Sequence, residues 1–214
     1  MLNAEATIDH LVVTALNLKS GVQWVRDVLG VTPQLGGKHE RMGTHNCLLR
    51  LGADVYLEVI AIDPNAPDPG RPRWFELDEL DKASEPRLAT WVVRTGNIRD
   101  TVSACTETCG AIESMSRGEL NWQITVAGDG GMQLGGTAPT IIQWRTPIHP
   151  AQQMREHGCR LLELQLTHPE PQRVERMLRS IRLNALPVLV ASGEKPHLLA
   201  TIETSSGIKT LPPM

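Results

Sequence analysis

The chain has 214 residues, 41% of them hydrophobic and 21% charged, which is ordinary for a globular protein of one large domain or two small ones. Its formal net charge of -3 gives no reason to expect nucleic acid or an anionic membrane as a partner. No apolar run approaches the roughly 20 residues that span a bilayer, and no basic segment followed by an apolar one opens the chain, so we expect a cytoplasmic location.

The first predicted unit starts with the apolar strand IDHLVVT, which contains one histidine, His10. Apolar residues then recur at helical spacing, at Leu18, Val22, Val25 and Leu29. Gly30 is a normal helix end. The segments THNCLLRLG and DVYLEVIAI are predicted to be strands that complete this unit.

The second unit repeats this pattern from the strand LATWVVR onward. Asn97 is a helix N-cap by residue type, and Gly110 is predicted to close the helix. Its apolar face is predicted to carry Ile98, Val102, Cys105 and Cys109. Because no two of the four cysteines form a CxxC pair, we interpret them as buried thiols in a reducing compartment. The strands LNWQITVAG and TIIQWRT follow.

The third unit starts with LLELQLT and a helix whose first turn contains Pro171. Its apolar face is formed by Val174, Met177, Leu178 and Ile181. The segments LPVLVAS, PHLLATIET and IKTL are predicted strands. The recurrent unit is therefore βαβββ, and it predicts an α+β fold.

Two segments rich in proline and glycine separate the units, DPNAPDPGRPRW and TPIHPAQQMREHG. Neither is long enough to separate independent domains. We therefore expect a first domain over residues 1–150, with modules at about 8–63 and 88–146. Residues 151–214 are expected to form a C-terminal βαβββ-like module packed on that domain.

The segments IDHLVV, GGKHERMGTHNCLLRLGADVYLEVIAID, RPRWFELDELD and IIQWRTPIHPA resemble the glyoxalase-like domain family of the vicinal oxygen chelate superfamily. The resemblance covers nearly the whole chain. It implies a curved mixed sheet built from βαβββ modules, with a small-molecule ligand in its cavity. Lyases, isomerases and dioxygenases share that scaffold with drug-sequestering proteins, so it implies the fold more strongly than the reaction.

The resemblance also implies two site residues, His10 on the first strand and Glu58 on the last strand of the first module. Both are suitable ligands for a divalent ion such as Zn, Ni, Mn or Fe. The corresponding second-module positions hold Thr90 and Gln143, which are poor ligands, so the metal is an open question. In the third unit Glu163 has the position of His10.

Three interpretations of His10 and Glu58 stay open. They bind a metal, they form a proton-transfer pair, or His10 is a hydrogen-bonded core residue and Glu58 faces solvent from a strand edge. The first two make the chain an enzyme acting on a small carbonyl- or oxygen-containing compound. The alternative is a protein that binds or sequesters a small molecule without chemistry.

Other residues are candidates for contact with the ligand. The glycine-rich segment GGKHERMGTHN is predicted to be a loop at the cavity mouth. Strand alternation sends His45 and Asn46 to opposite faces, and likewise separates Gln143 from Trp144. The candidates for substrate binding are His45, Asn46, Arg73, Trp74, Trp122 and Gln143. Exposed strand edges of the C-terminal module leave a homodimer open.

Overall fold

The fold consists of two sheets and three α-helices, as a computed structural model describes it for residues 5–184 and 187–211. Strands of the first module are β1 (Thr7–Thr14), β2 (Gln34–His39), β3 (Thr44–Arg50) and β4 (Tyr56–Ile62). Those of the second are β5 (Arg87–Arg94), β6 (Ala111–Arg117), β7 (Leu120–Val126) and β8 (Thr140–Trp144). Helix α1 (Leu18–Leu29) follows β1, and helix α2 (Ile98–Ala104) follows β5.

The first two modules join edge to edge in one curled sheet of eight strands, ordered β2-β3-β4-β1-β5-β8-β7-β6. The central strands β1 and β5 are antiparallel, and each pairs in parallel with the last strand of its own module. Each half therefore has the same strand order, read outward from the centre. This arrangement confirms the predicted repeat of βαβββ modules in a curved mixed sheet.

The third unit forms a separate sheet of four strands with a different topology. Its elements are β9 (Arg160–His168), α3 (Pro171–Ser180), β10 (Val188–Ser192), β11 (His197–Thr204) and β12 (Gly207–Leu211). Their sheet order is β10-β9-β11-β12, so the first strand pairs in parallel with the second rather than with the last. The predicted order of elements along the chain is confirmed, but the pairing of the first two modules is not repeated.

Both sheets share one hydrophobic core on the convex side of the large sheet. Leu11 of β1 and Trp91 of β5 point into it, together with Val25 of α1 and Leu164 of β9. Alternate residues of the central strands face the concave side, where Val12 belongs to a second apolar cluster. Because one core connects both sheets, the expected domain boundary at residue 150 stays a prediction.

Two strands and one helix end differ from the sequence-based prediction. The sequence pattern does not predict strands β2 and β6, and the glycine pair that it assigns to a loop is part of β2. Helix α2 ends at Ala104, so the prediction that it continues to Cys109 was wrong. The β-branched Thr106 and Thr108 follow that end, and the backbone N–H of Thr106 donates to Ser180 of α3 instead of continuing the helix. Within the described ranges, no helix is long and apolar enough to cross a membrane.

Helix α1 packs closely on the sheet at Gly21, and this contact makes a testable prediction. A Cβ at Gly21 would lie 2.5 Å from Cγ1 of Val59 and 2.8 Å from Cβ of Ala15. We expect Gly21→Ala to lower the free energy of unfolding by about 1–3 kcal/mol through overpacking, although alanine is the better helix former. Urea denaturation measures the effect. Lys19→Ala, on the exposed side of the same helix, is the matched control and should change stability by less than about 0.5 kcal/mol.

Candidate functional site

The candidate site lies on the concave face, where β1 brings two neighbouring ionisable residues to one side. Alternation would place Asp9 and His10 on opposite faces, but the register of β1 against β5 shifts between Ile8 and His10. Asp9 is the extra residue of this β-bulge and has no partner on β5. Its carboxylate Oδ1 therefore reaches Nδ1 of His10 at 2.7 Å, and both side chains are buried.

The carboxylate of Asp9 is fully buried and has three side-chain partners. Besides His10, the indole Nε1 of Trp144 donates to its Oδ2 at 2.8 Å, and Nε2 of His149 lies 2.9 Å from the same oxygen. Burial alone would raise the pKa of Asp9, but the hydrogen bonds with His10 and His149 lower it below its ordinary value. Asp9 is therefore a fixed negative charge behind His10.

His10 and Glu58 form a buried pair of opposite charge. Nε2 of His10 lies 3.6 Å from Oε2 of Glu58. Burial would lower the pKa of His10, but its contacts with Asp9 and Glu58 raise it to about 9. Burial likewise opposes the charge of Glu58, whereas His10 lowers its pKa to about 2. The ring of Tyr56 stacks on His10 with centroids 4.5 Å apart, which fixes the plane of the imidazole.

Glu58 is also held from the side of β3 and β2. The side-chain amide of Asn46 donates to Oε1 of Glu58, and Nε2 of His39 lies 3.9 Å from the same oxygen. Nδ1 of His39 is paired with the hydroxyl of Thr44 at 3.0 Å. Burial lowers the pKa of His39 to about 4, so its imidazole is neutral near pH 7. Glu58 thus has one neutral and one charged imidazole beside it.

The glycine pair of β2 makes room for this arrangement. A Cβ at Gly36 would lie 2.1 Å from Oδ1 of Asn46, and one at Gly37 would lie 2.6 Å from Cδ of Arg117. Neither glycine has a positive φ. They are therefore required for space, not for a left-handed turn, and they let two polar side chains lie flat against the strand.

Aromatic side chains form most of the remaining cavity wall. The lining consists of His10, His39, Tyr56, Glu58, Trp74, Phe75, Arg117, Trp122, Ile124, Ile142 and Trp144. The cavity has a volume of about 30 Å³ and is open to solvent. Phe75 and Glu76 have φ of 60° and 56°, a conformation that costs free energy at residues other than glycine and is frequent at functional sites.

Three of the candidates for substrate binding lie in the cavity wall or next to it. Trp74 and Trp122 line the cavity, and Asn46 contacts Glu58. Trp74 comes from the first proline-rich segment, which covers the concave face instead of acting as a free linker. His149, in the second such segment, contacts Asp9. Both segments therefore contribute to the site.

The other three candidates lie outside the cavity. His45 is half-buried on β3 and points to the face opposite Asn46, opposite Ala61 of β4. Arg73 forms an ion pair with Asp78 at 2.6 Å. Gln143 is on the convex side of β8, where its amide oxygen accepts from the backbone N–H of Ile98 at the start of α2. Its neighbour Trp144 faces the cavity in its place.

The second module contributes no counterpart of His10 and Glu58. Val12 lies opposite Glu58, and the equivalent Val92 lies opposite Thr140, so Thr140 rather than Gln143 has the place of Glu58. The hydroxyl of Thr90 donates to the carbonyl of Gly136. Within the described ranges, no group of three His, Cys, Asp or Glu residues is arranged to hold a metal ion.

Glu163 is on β9 in the four-stranded sheet and does not line the cavity. The residues that the sequence did not single out are Asp9, Tyr56, Arg117 and His149. For Asp9 a signal was present, since an acid directly before a histidine in an apolar strand is costly to bury without a partner. Tyr56 begins the strand that contains Glu58 and lies two residues before it, so alternation places both on one face. Arg117 and His149 come from distant segments and carry no local signal.

The chain matches the glyoxalase-like domain family over residues 8–181, which is most of its length. The chain belongs to the glyoxalase-like domain family. No curated protein matches it. The family match confirms the resemblance to that family which the sequence motifs indicate.

Among solved structures, this glyoxalase-like chain is similar to a hypothetical protein from Staphylococcus aureus. The two share 13% identity over 98% of this chain and 99% of the other, with a TM-score of 0.69. This confirms the α+β glyoxalase fold with an added C-terminal sheet.

Two enzymes are more distant. A methylmalonyl-CoA epimerase from Streptomyces coelicolor, in complex with 2-nitronate-propionyl-CoA, has 14% identity over 65% of this chain and 97% of its own, with a TM-score of 0.44. A variant of homoprotocatechuate 2,3-dioxygenase from B. fuscum, in complex with HPCA, has 11% identity over 92% of this chain and 56% of its own, with a TM-score of 0.46.

The charged pair of this glyoxalase-like site predicts a pH dependence of stability. The pKa of His10 rises from its ordinary 6.5 to about 9, so its contribution is full below pH 6.5 and is lost as pH rises through 9. Wild type should therefore lose about 3 kcal/mol more unfolding free energy than His10→Gln between pH 6 and pH 9.5. Urea denaturation at both pH values measures this. Equal losses in the two proteins would show that His10 is not charged in the folded state.

Proposed function

We propose that this chain is an enzyme that moves a proton on a small carbonyl- or oxygen-containing compound, with Glu58 and His10 as its catalytic pair. The observation that carries the proposal is that a carboxylate and an imidazole of opposite charge are buried together in the wall of one cavity. Burying such a pair is costly, and titratable groups with shifted pKa values in a cleft are typical of active sites.

In the proposed reaction, the carbonyl oxygen of the substrate takes the position beside Nε2 of His10. The imidazolium donates a hydrogen bond to that oxygen and keeps its proton, and Glu58, which it no longer faces directly, becomes a stronger base. Glu58 accepts a proton from the carbon next to the carbonyl, and the electron pair of the C–H bond moves to the oxygen. The positive charge of His10 stabilises the resulting enolate.

In a substrate whose reacting carbon carries a hydroxyl, that hydroxyl passes its proton to the oxygen beside His10. Return of the proton from Glu58 to the former carbonyl carbon then completes an isomerisation and restores both side chains. Asp9 supports both steps, because its charge keeps His10 protonated and its hydrogen bond fixes the ring orientation. The amide of Asn46 holds the other oxygen of Glu58 and aims the carboxylate at the cavity.

A divalent metal fits this donor set poorly. Tight sites usually have three protein ligands. His10 and Glu58 supply two, and among the described residues no group of three His, Cys, Asp or Glu is arranged to hold a metal ion. The equivalent positions of the second module offer only the hydroxyls of Thr90 and Thr140. We therefore derive no step through a metal.

The second candidate is binding without reaction, which the aromatic wall favours. Trp74, Phe75, Trp122 and Trp144 line the cavity, and such walls suit an apolar ligand face. The two candidates differ in one property, because only the enzyme exchanges the protons of a bound compound with solvent.

Proton exchange in D₂O tests the proposed reaction. The protein is mixed separately with pyruvate, 2-oxobutyrate and dihydroxyacetone, and the loss of the signals next to each carbonyl is followed by proton NMR. We expect wild type to accelerate exchange of at least one compound, and Glu58→Gln to slow it by at least about 100-fold because the base is lost.

The matched control is Glu163→Gln, since Glu163 is in the other sheet and outside the cavity. Its exchange rate should equal that of wild type. Binding of these compounds without faster exchange than in buffer would contradict the enzyme and support the second candidate.

Metal content gives an independent test of the metal-free reaction. In protein purified without chelators or an affinity tag, we expect less than about 0.1 equivalent of transition metal in wild type, because His10 and Glu58 alone are too few ligands for tight binding. Elemental analysis of wild type and Glu58→Ala measures this. About one equivalent in wild type that disappears in the variant would make Glu58 a ligand and overturn the metal-free mechanism.

A further inference from the structure

We propose that the substrate carries a carboxylate, next to the reacting carbonyl group, that Arg117 binds, so that the substrate class is small 2-oxo acids. This inference rests on the proposed function for the identity of the reacting carbonyl group. It goes beyond that function because it assigns a binding residue and a chemical class to the cavity. Four observations support it.

Arg117 reaches the cavity from the far end of the large sheet. It is the last residue of β6, the strand farthest from β2 in the sheet order, yet its side chain lies across Gly37 of β2. The curl of the sheet brings these two edges together. Arg41, directly after β2, also contacts Glu113 of β6 at 3.0 Å. The guanidinium of Arg117 is thus brought into the cavity wall by the overall shape of the sheet.

The guanidinium of Arg117 has hydrogen-bonding capacity that the protein does not use with a carboxylate. Its Nη1 donates to Oδ1 of Asn46 at 3.1 Å and lies 3.5 Å from Nε2 of the neutral His39. Among the carboxylates of the described residues, none forms an ion pair with Arg117. By contrast, Arg71 forms a bidentate ion pair with Glu113. A planar guanidinium with free donors is suited to a carboxylate.

A second donor in the same wall lacks an acceptor. Nε1 of Trp74 is buried and has no hydrogen-bond partner among the described residues, although Trp74 lines the cavity. A buried N–H without an acceptor costs folding free energy. A ligand oxygen in the cavity would supply the missing acceptor, as it would for Arg117.

Arg117 lies close to the catalytic pair. The side chains of His39 and Asn46 each contact both Arg117 and Glu58. A carboxylate bound to Arg117 therefore brings the next carbons of a short compound close to Glu58 and His10. A small acid with a carbonyl group next to its carboxylate meets this condition.

Binding of acids and of their neutral esters tests the assignment. The probes are glyoxylate, pyruvate and 2-oxobutyrate against the methyl ester of each, with tryptophan fluorescence and calorimetry as the readouts. We expect wild type to bind at least one acid at least 10-fold more tightly than its ester. Arg117→Met should weaken acid binding at least 10-fold and leave ester binding unchanged. Arg117→Lys should weaken acid binding less than Arg117→Met does. Arg145→Met, an exposed arginine beside the site, should change neither.

Several results would overturn the assignment. They are the absence of acid binding by wild type, equal affinity for acids and esters, and an equal effect of Arg117→Met on both. Unfolding midpoints of the variants show that they are folded. Glu58→Gln separates this inference from the proposed reaction, since it should lose proton exchange but keep the preference for acids. If wild type catalyses proton exchange but does not prefer acids to esters, only the role of Arg117 is overturned. If it prefers acids but does not catalyse exchange, only the proposed reaction is overturned.

Discussion

The site depends on one buried negative charge, the carboxylate of Asp9. It is fully buried, and it is tolerated because three side-chain donors face it from β1, β8 and the segment after β8. A charge held this way keeps His10 protonated, and protonated His10 in turn keeps Glu58 ionised. The charge states of His10 and Glu58, the pair that faces the ligand, therefore depend on Asp9.

A second constraint is space along β2. The two outer strands of the curled sheet can approach each other only if a small residue lies where their side chains cross. Gly37 provides this, because a side chain there would overlap Arg117 of β6. Gly36 leaves room for Asn46 of the adjacent strand β3. The two residues thus permit the curl of the sheet and the polar side of the cavity.

The two halves of the large sheet have the same architecture but different chemistry. The first half supplies His10, Glu58 and their supporting residues, whereas the second supplies Arg117, Ile142 and tryptophan walls. Where the first half has Glu58, the second has Thr140. Once the halves are joined through β1 and β5, one functional set of ionisable groups is enough, and the other half is free to shape the binding surface. The third sheet covers the convex side and leaves the cavity open.

The sequence by itself determined the βαβββ repeat, most strands, the end of α1, the start of α3, and the place of His10 and Glu58 on two strands of the first module. These features are local, because periodicity, caps and a buried charge are visible within a short stretch. It did not determine the bulge at Asp9, the function of the glycine pair, or the strand order of the third sheet. Only the tertiary structure decided which groups meet. His149 lies 140 residues from Asp9, and Arg117 lies 71 from Asn46. Contacts over such separations depend on how the sheet curls, and no local pattern encodes that.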